Sequence, residues 1–171
     1  MVSTDSRRVE LFVRSLSPQS GRSPAVTQLE GLRALADEGA IDLSVSVWGR
    51  EVGLSTTAAR TDAGQFVLDR VAAFREWADA RGVCVESFFE TREVESELTG
   101  ESYTALLLPM VCLAEYRDEK LRHVAPYTTD SAVHTVADRV TALEAAVRTS
   151  DSGSDPDERA VDVPSLQATG H

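Results

Sequence analysis

Apolar and polar residues alternate over Val9-Glu10-Leu11-Phe12-Val13-Arg14-Ser15-Leu16, placing Val9, Leu11 and Val13 on one face and Glu10 and Arg14 on the other. That period of two predicts a β-strand with one covered face. The turn-rich run Ser17 to Pro24 closes it. Val26, Leu29, Leu32, Leu35 and Ala36 then recur at helical spacing, and Gly39 is placed to end a first helix. Leu43, Val45 and Val47 alternate with Ser44, Ser46 and Trp48, so residues 9–48 read as a β-α-β unit. If its strands are parallel, the crossover is expected to be right-handed.

A second helix is predicted from Ala63 to Arg81, with Val67, Val71, Phe74, Trp77 and Ala78 on one stripe. Asp62 and Gln65 resemble a capping box at its start, and Gly82 ends it. Cys84 to Val94 and Leu121 to Tyr127 read as strands. Between them Tyr103 to Tyr116 is a long apolar strand interrupted by Pro109, which predicts an edge position or a bulge. An antiparallel three-stranded meander is the simplest arrangement. Ser131 to Val147 closes the chain's order with Val133, Val136, Val140, Leu143 and Val147 at helical spacing. The expected fold class is α+β: a β-α-β unit, a helix, the meander and a C-terminal helix, with the helices packed on a mixed sheet.

The ends carry no such periodicity. Residues 1–7 are polar, and 149–171 form an acidic tail with too little apolar content to order itself, so one domain over 8–148 is expected. The start lacks the pattern of a signal peptide, and the longest apolar stretch, Ala105 to Ala114, is about half a membrane span. A cytoplasmic protein with no membrane partner is the expectation.

Charge changes the picture most. The chain has 171 residues, and 28 acidic residues against 17 basic give a formal charge of −11; Lys120 is the only lysine among the 17. An acidic, lysine-poor surface fits adaptation to concentrated intracellular salt, because arginine is less strongly hydrated than an ammonium group. A GC-rich genome would shift composition the same way. In molar salt the Debye length is about 3 Å, so this acidity does not speak against DNA.

Candidate chemistry is sparse. There is no Walker A loop, GxGxxG, GxSxG, HExxH or paired CxxC. His123 and His134 read as surface or satisfied histidines, His171 falls in the unordered tail, and Cys84 and Cys112 read as buried free thiols. Glu86, Glu90, Glu93, Glu95, Glu97 and Glu101 could gather a metal, but in so acidic a chain they read as a solvated strand face. The loop Ser17 to Pro24, with Arg22 and Ser23, opens onto a helix start, yet matches no phosphate-loop pattern. No catalytic residue, cofactor or metal site is predicted, and an enzyme is the least favoured class.

One segment resembles the turn of a helix-turn-helix motif, namely Trp48 to Arg60. Gly53, Leu54 and Ser55 supply a turn glycine, an apolar residue and a cap, and Arg50, Ser55, Thr56, Thr57 and Arg60 are of the types that reach phosphates or base edges. Gly49 and Asp62 depart from the motif, and Val45 to Val47 reads as strand. Across 8–148 the chain resembles a family of small haloarchaeal proteins labelled as helix-turn-helix domain proteins. The resemblance lies in Val9 to Ser15, Val47 to Arg50, Phe74 to Ala78, Phe88 to Val94 and His134 to Asp138. It implies a regulatory role associated with DNA and supplies no catalytic residue.

The expected function is therefore a non-enzymatic regulator contacting DNA or the transcription machinery through Arg50, Ser55, Thr56, Thr57 and Arg60. The alternative is a module for a protein partner or small ligand, homodimeric through the last helix or the edge near Pro109, with Trp48, Phe88 and Phe89 as its aromatics. Residues 48–62 separate the two, as crossing helices or as a strand entering a loop.

Overall fold

The computed structural model of the chain describes residues 7–16, 23–54 and 60–151. Strand β1 (Arg7–Val13) leads to helix α1 (Pro24–Asp37), β2 (Asp42–Val47), β3 (Glu51–Gly53) and helix α2 (Asp62–Arg81). A short 3₁₀ turn at Glu86–Phe88 precedes β4 (Thr91–Glu95), β5 (Ser102–Leu107), β6 (Val111–Arg117) and β7 (Lys120–Ala125). The brief pair β8 (Tyr127–Thr128) and β9 (Val133–His134) then leads into α3 (Val136–Asp151).

Local chemistry sets the helix ends. The Ser23 hydroxyl accepts from the Ala25 amide at 3.3 Å, with Pro24 next, where its missing N–H costs nothing. Gly39 takes φ +78° and its amide donates to the Ala36 carbonyl, the left-handed closure expected there. For α2 the cap is Thr61, whose Oγ1 accepts from the Gly64 amide at 3.0 Å; Asp62 is already inside the first turn, contrary to the capping-box expectation. Gly82, at φ +69°, ends that helix as predicted.

The main sheet runs β2-β1-β6-β7, with β1 and β2 parallel and the other pairs antiparallel. A second sheet runs β3-β5-β4. The β-α-β unit thus forms as expected, but the three-stranded meander does not. The segment Tyr103 to Tyr116 divides at Leu108–Met110: β5 belongs to the second sheet and β6 to the first. Pro109 marks the corner between sheets instead of an edge or a bulge. Its carbonyl accepts from Trp48 Nε1 at 3.3 Å, the Leu108 amide donates to the Arg50 carbonyl and the Arg14 amide to Met110. The region from Cys84 makes only a single antiparallel bridge, Cys84 to Thr128, then a 3₁₀ turn at Glu86–Phe88, and becomes a strand at Thr91.

Both faces of the main sheet are covered. Val9, Leu11, Val13 and Leu113 pack with Leu29 and Leu32 of α1 and Val140 and Leu143 of α3. Phe12, Cys112, Ala114 and Tyr116 face Val71, Phe74 and Trp77 of α2, along with Val52, Leu106 and Phe89 from the region of the second sheet. Hence β1, whose alternation predicted one solvated face, is buried on both. Phe12 stacks on Trp48 with centroids 4.8 Å apart and meets Phe74 edge-on at 5.9 Å. Glu10 is 6% exposed, held by Arg70 Nη2 at 3.0 Å and Arg8 at 3.6 Å. Of the predicted last stripe, Val136, Val140 and Leu143 are buried and Val147 packs against them, but Val133 lies in β9, ahead of the helix that begins only at Val136, and is 58% exposed; Trp48 and Phe89 are buried in the core on the other face, with Phe88 packed against them.

Candidate functional site

The segment singled out by sequence lies where β2 turns into β3 and onward to α2. Gly49 takes φ +79° in the turn between the two strands, while Gly53 sits at the end of β3 opposite Ala105 and is not in the left-handed region. The amide of Leu54 continues the ladder by donating to the Thr104 carbonyl at 2.8 Å. Residues 51–53 are therefore a strand, paired with β5, and not part of a helical turn. Among the described residues, no two α-helices are joined by the three- to four-residue turn that a helix-turn-helix unit requires.

Of the predicted contact residues, Ser55, Thr56 and Thr57 lie outside the described residues. Arg50 and Arg60 are both exposed, and neither forms an ion pair with a described residue. Each is the immediate neighbour of a residue lining one cleft of about 500 Å³, Arg50 beside Glu51 and Arg60 beside Thr61. The two arginines thus adjoin, in sequence, residues that line the same hollow, without lining it themselves. Its walls include Trp48, Val52 and Val67 below, with Phe66 and Val47 at the surface; Val47 is 57% exposed. Glu51 is fixed by the Tyr103 hydroxyl, which donates at 3.3 Å, and by Arg92 at 3.5 Å.

A second hollow, of about 360 Å³, opens at the far end of α2. Arg7, Arg81, Glu115, Arg117, Arg122, His123 and Arg139 line it. Glu115, 4% exposed, takes Arg139 Nε at 2.9 Å and Nη2 at 2.6 Å on one carboxylate oxygen and Arg7 Nε at 3.3 Å on the other. Burial first, and then the positive charge of Arg139, push the His123 imidazole below the ordinary histidine range, opposed by Glu115. Sequence reasoning passed over this cluster because its members are scattered from residue 7 to residue 139. The only early signal was how few basic residues the chain has to spend.

The remaining candidates resolve simply. The six glutamates between 86 and 101 are all exposed, as a solvated face predicts. Among the described residues no three His, Cys, Asp or Glu side chains converge as a metal ion would require. Both cysteines are free thiols; Cys112 is buried, but Cys84 is exposed, where burial was expected. His134 stacks on Tyr127, centroids 4.5 Å apart, and His171 lies outside the described residues. No described helix is long and apolar enough to cross a membrane.

No curated protein and no solved structure matches this chain. A family described as a helix-turn-helix domain matches residues 1–148, a span that takes in the sheets and all but the end of α3 and so reaches well beyond the segment around Gly53. By that match the chain belongs to this helix-turn-helix domain family.

Proposed function

We propose that the protein is a non-enzymatic regulator that contacts DNA, with Arg50 and Arg60 as its phosphate-reaching side chains and Ser55, Thr56 and Thr57 between them. Family membership supports the regulatory class. The observation that carries the site is that Arg50 and Arg60, both exposed and neither ion-paired with a described residue, each adjoin in sequence a residue lining one cleft at the start of α2. Phosphate contacts from arginine position a protein on a duplex, and base contacts from nearby hydroxyls specify sequence. The acidic, lysine-poor composition fits a salt-rich cytoplasm, in which direct contacts survive while the net charge of −11 is screened beyond about 3 Å.

The test is filter binding of genomic duplex fragments in molar potassium salt. Binding that falls with Arg50→Gln and Arg60→Gln, and whose salt slope drops by about one per arginine removed, supports the reading. Absence of binding, or binding indifferent to both substitutions, overturns it.

A second reading rests on the same cleft. Its apolar floor of Trp48, Val52 and Val67 suits a small apolar ligand or a partner side chain, and about 500 Å³ falls within the usual range of ligand pockets. A Trp48 fluorescence change on adding a hydrophobic probe, abolished by Val67→Trp, would favour it over the DNA reading.

A further inference from the structure

We infer that the outer edge of β2 is the surface through which two copies of this chain pair, antiparallel about a two-fold axis, so that the main sheet continues from one copy into the other. Among the described residues four strands end the two larger sheets, β2 and β7 in one and β3 and β4 in the other. Three of them carry features that discourage a further strand. β7 holds Lys120 and Arg122 and slips in register against β6, β4 holds Arg92, Glu93 and Glu95, and β3 is three residues long and begins at Glu51. β2 has none of these. Its run Leu43-Ser44-Val45-Ser46-Val47 is uncharged and without proline, and it pairs with β1 residue by residue with no bulge. The one charge in β2 is Asp42, at its first position.

The hydrogen-bond phase of β2 determines which backbone groups are left over. The Trp48 amide donates to the Val13 carbonyl at 2.9 Å, so Trp48 faces β1, and at a period of two Ser46 and Ser44 face it as well. Leu43, Val45 and Val47 therefore turn their N–H and C=O groups outward, where no described residue takes them up. An antiparallel partner centred on Val45 takes up all of them: Val45 faces the partner's Val45 and Leu43 faces the partner's Val47, each pair exchanging two N–H···O bonds. Because that register is centred on a single residue, both copies use the same surface in the same way, as a closed two-fold contact requires.

Side chains and charge select the same occupant. Leu43 and Val45 already pack against the core under α1 and α3, and Val47, 57% exposed, gains cover from the partner's Leu43. On the other face Ser44 lies opposite the partner's Ser46, a pair able to share a hydrogen bond. Two copies at −11 each repel over most of their surfaces, yet along this seam like charges stay apart. The two Asp42 residues stand at opposite ends of it, about 20 Å from one another. Each Asp42 lies instead opposite the partner's Trp48, beside the turn that carries the partner's Arg50, so unlike charges adjoin at both ends. An extended segment of another protein could use the same backbone groups, but nothing in β2 selects its sequence, whereas the two-fold matches β2 to itself. The seam does not involve Arg60 and stands independently of the DNA reading.

The test is sedimentation velocity of the full chain in molar potassium chloride, without DNA, over a wide range of concentration. The mass should rise from monomer to dimer and stop there, because pairing consumes the edge. Val45→Pro removes the central outward N–H while leaving the bonds to β1, and Val47→Glu sets a second acid beside the partner's Asp42; each should weaken the dimer by about tenfold or more, with circular dichroism verifying the fold. Arg60→Gln should leave self-association unchanged. The register has its own readout, which does not depend on either variant. With Cys84→Ser as background, an equimolar mixture of Ser44→Cys and Ser46→Cys chains should form an interchain disulfide on mild oxidation, because such opposite residues have Cα atoms about 4.5 Å apart, and neither chain alone should do so. A dimer indifferent to both edge substitutions, growth beyond the dimer, or equal cross-linking by the separate cysteine variants would overturn the proposal. So would a monomer at every concentration, which would leave the edge to an extended segment of another protein.

Discussion

Replacement of Phe12 by alanine separates the structure from the simple strand pattern that predicts β1. Alternation alone puts Phe12 on the face of Glu10 and Arg14, where truncation would cost little. In the fold Phe12 is 0% exposed, stacked on Trp48 and edge-on to Phe74. Truncating a buried Phe to Ala costs about 3–5 kcal/mol, and each aromatic pair contributes about 0.5–1.5 kcal/mol beyond area burial. The expected loss is about 4 kcal/mol, which lowers Tm by about 8–16 °C in a domain of this size. Phe12→Leu, which keeps most of the volume and loses only the ring contacts, should cost about 1–2 kcal/mol. The assay is urea denaturation in molar potassium chloride, followed by tryptophan fluorescence with Trp77 as the second reporter. Leu98→Ala, at a fully solvated position, is the control and should be neutral. A loss below about 1 kcal/mol for Phe12→Ala, with an unchanged denaturant slope, would mean that the second core does not close over β1.

Three further outcomes are expected. Burial, and then the charge of Glu10 and a hydrogen bond to it, push the Tyr116 phenol up to about 12 from its ordinary 10.0. The folded state therefore holds that proton more tightly than the unfolded chain, and stability falls as pH rises from about 10 to about 12; Tyr116→Phe should flatten this limb in alkaline urea titrations. His123 is shifted the other way, by burial first and then by Arg139, with Arg81 and Arg7 also favouring the neutral ring and Glu115 opposing them, so the unfolded chain takes up a proton first. Stability present above the ordinary value of 6.5 should then decline as pH falls through it, and His123→Gln should remove part of that decline, with imidazole NMR shifts reporting the folded titration. Thiol labelling of the native protein should consume one equivalent, at exposed Cys84, and a second only after unfolding, because burial raises the Cys112 thiol out of reach. Two equivalents in the native state would place Cys112 at the surface.

The elements were legible where a single local rule governs them. The stripe Val67, Val71, Phe74, Trp77 and Ala78 is buried as its spacing demands, and Gly39 and Gly82 stop their helices through the left-handed conformation. Sheet membership was less legible, because it depends on pairing between distant segments. Nothing local shows that Tyr103 to Leu107 pairs with Thr91 to Glu95 while Val111 to Arg117 pairs with Arg7 to Val13. The burial of Glu10 was hidden likewise, since its partner Arg70 is 60 residues away. At the candidate site, the sequence flagged Arg50 and Arg60 for their residue type and their nearness to Gly53. The motif spelling predicted a helical turn, but the apolar Val52 found its partner, Leu106, in a sheet. The arginine hollow could not be read from spacing at all, because it exists only once five elements have assembled.

The pairing of β1 with β6 also sets the order in which the chain can be made. Val9 lies opposite Glu115, so about a hundred residues must leave the ribosome before the first strand meets its second neighbour. At synthesis rates of about 5–20 residues per second that is on the order of 5–20 s. During that interval β1 has only β2, its parallel partner across α1, and the apolar Leu11 and Phe12 remain open to the wrong contacts. Nascent chains halted before residue 111 should therefore be protease-sensitive throughout β1, and protection should arrive in one step as β6 emerges.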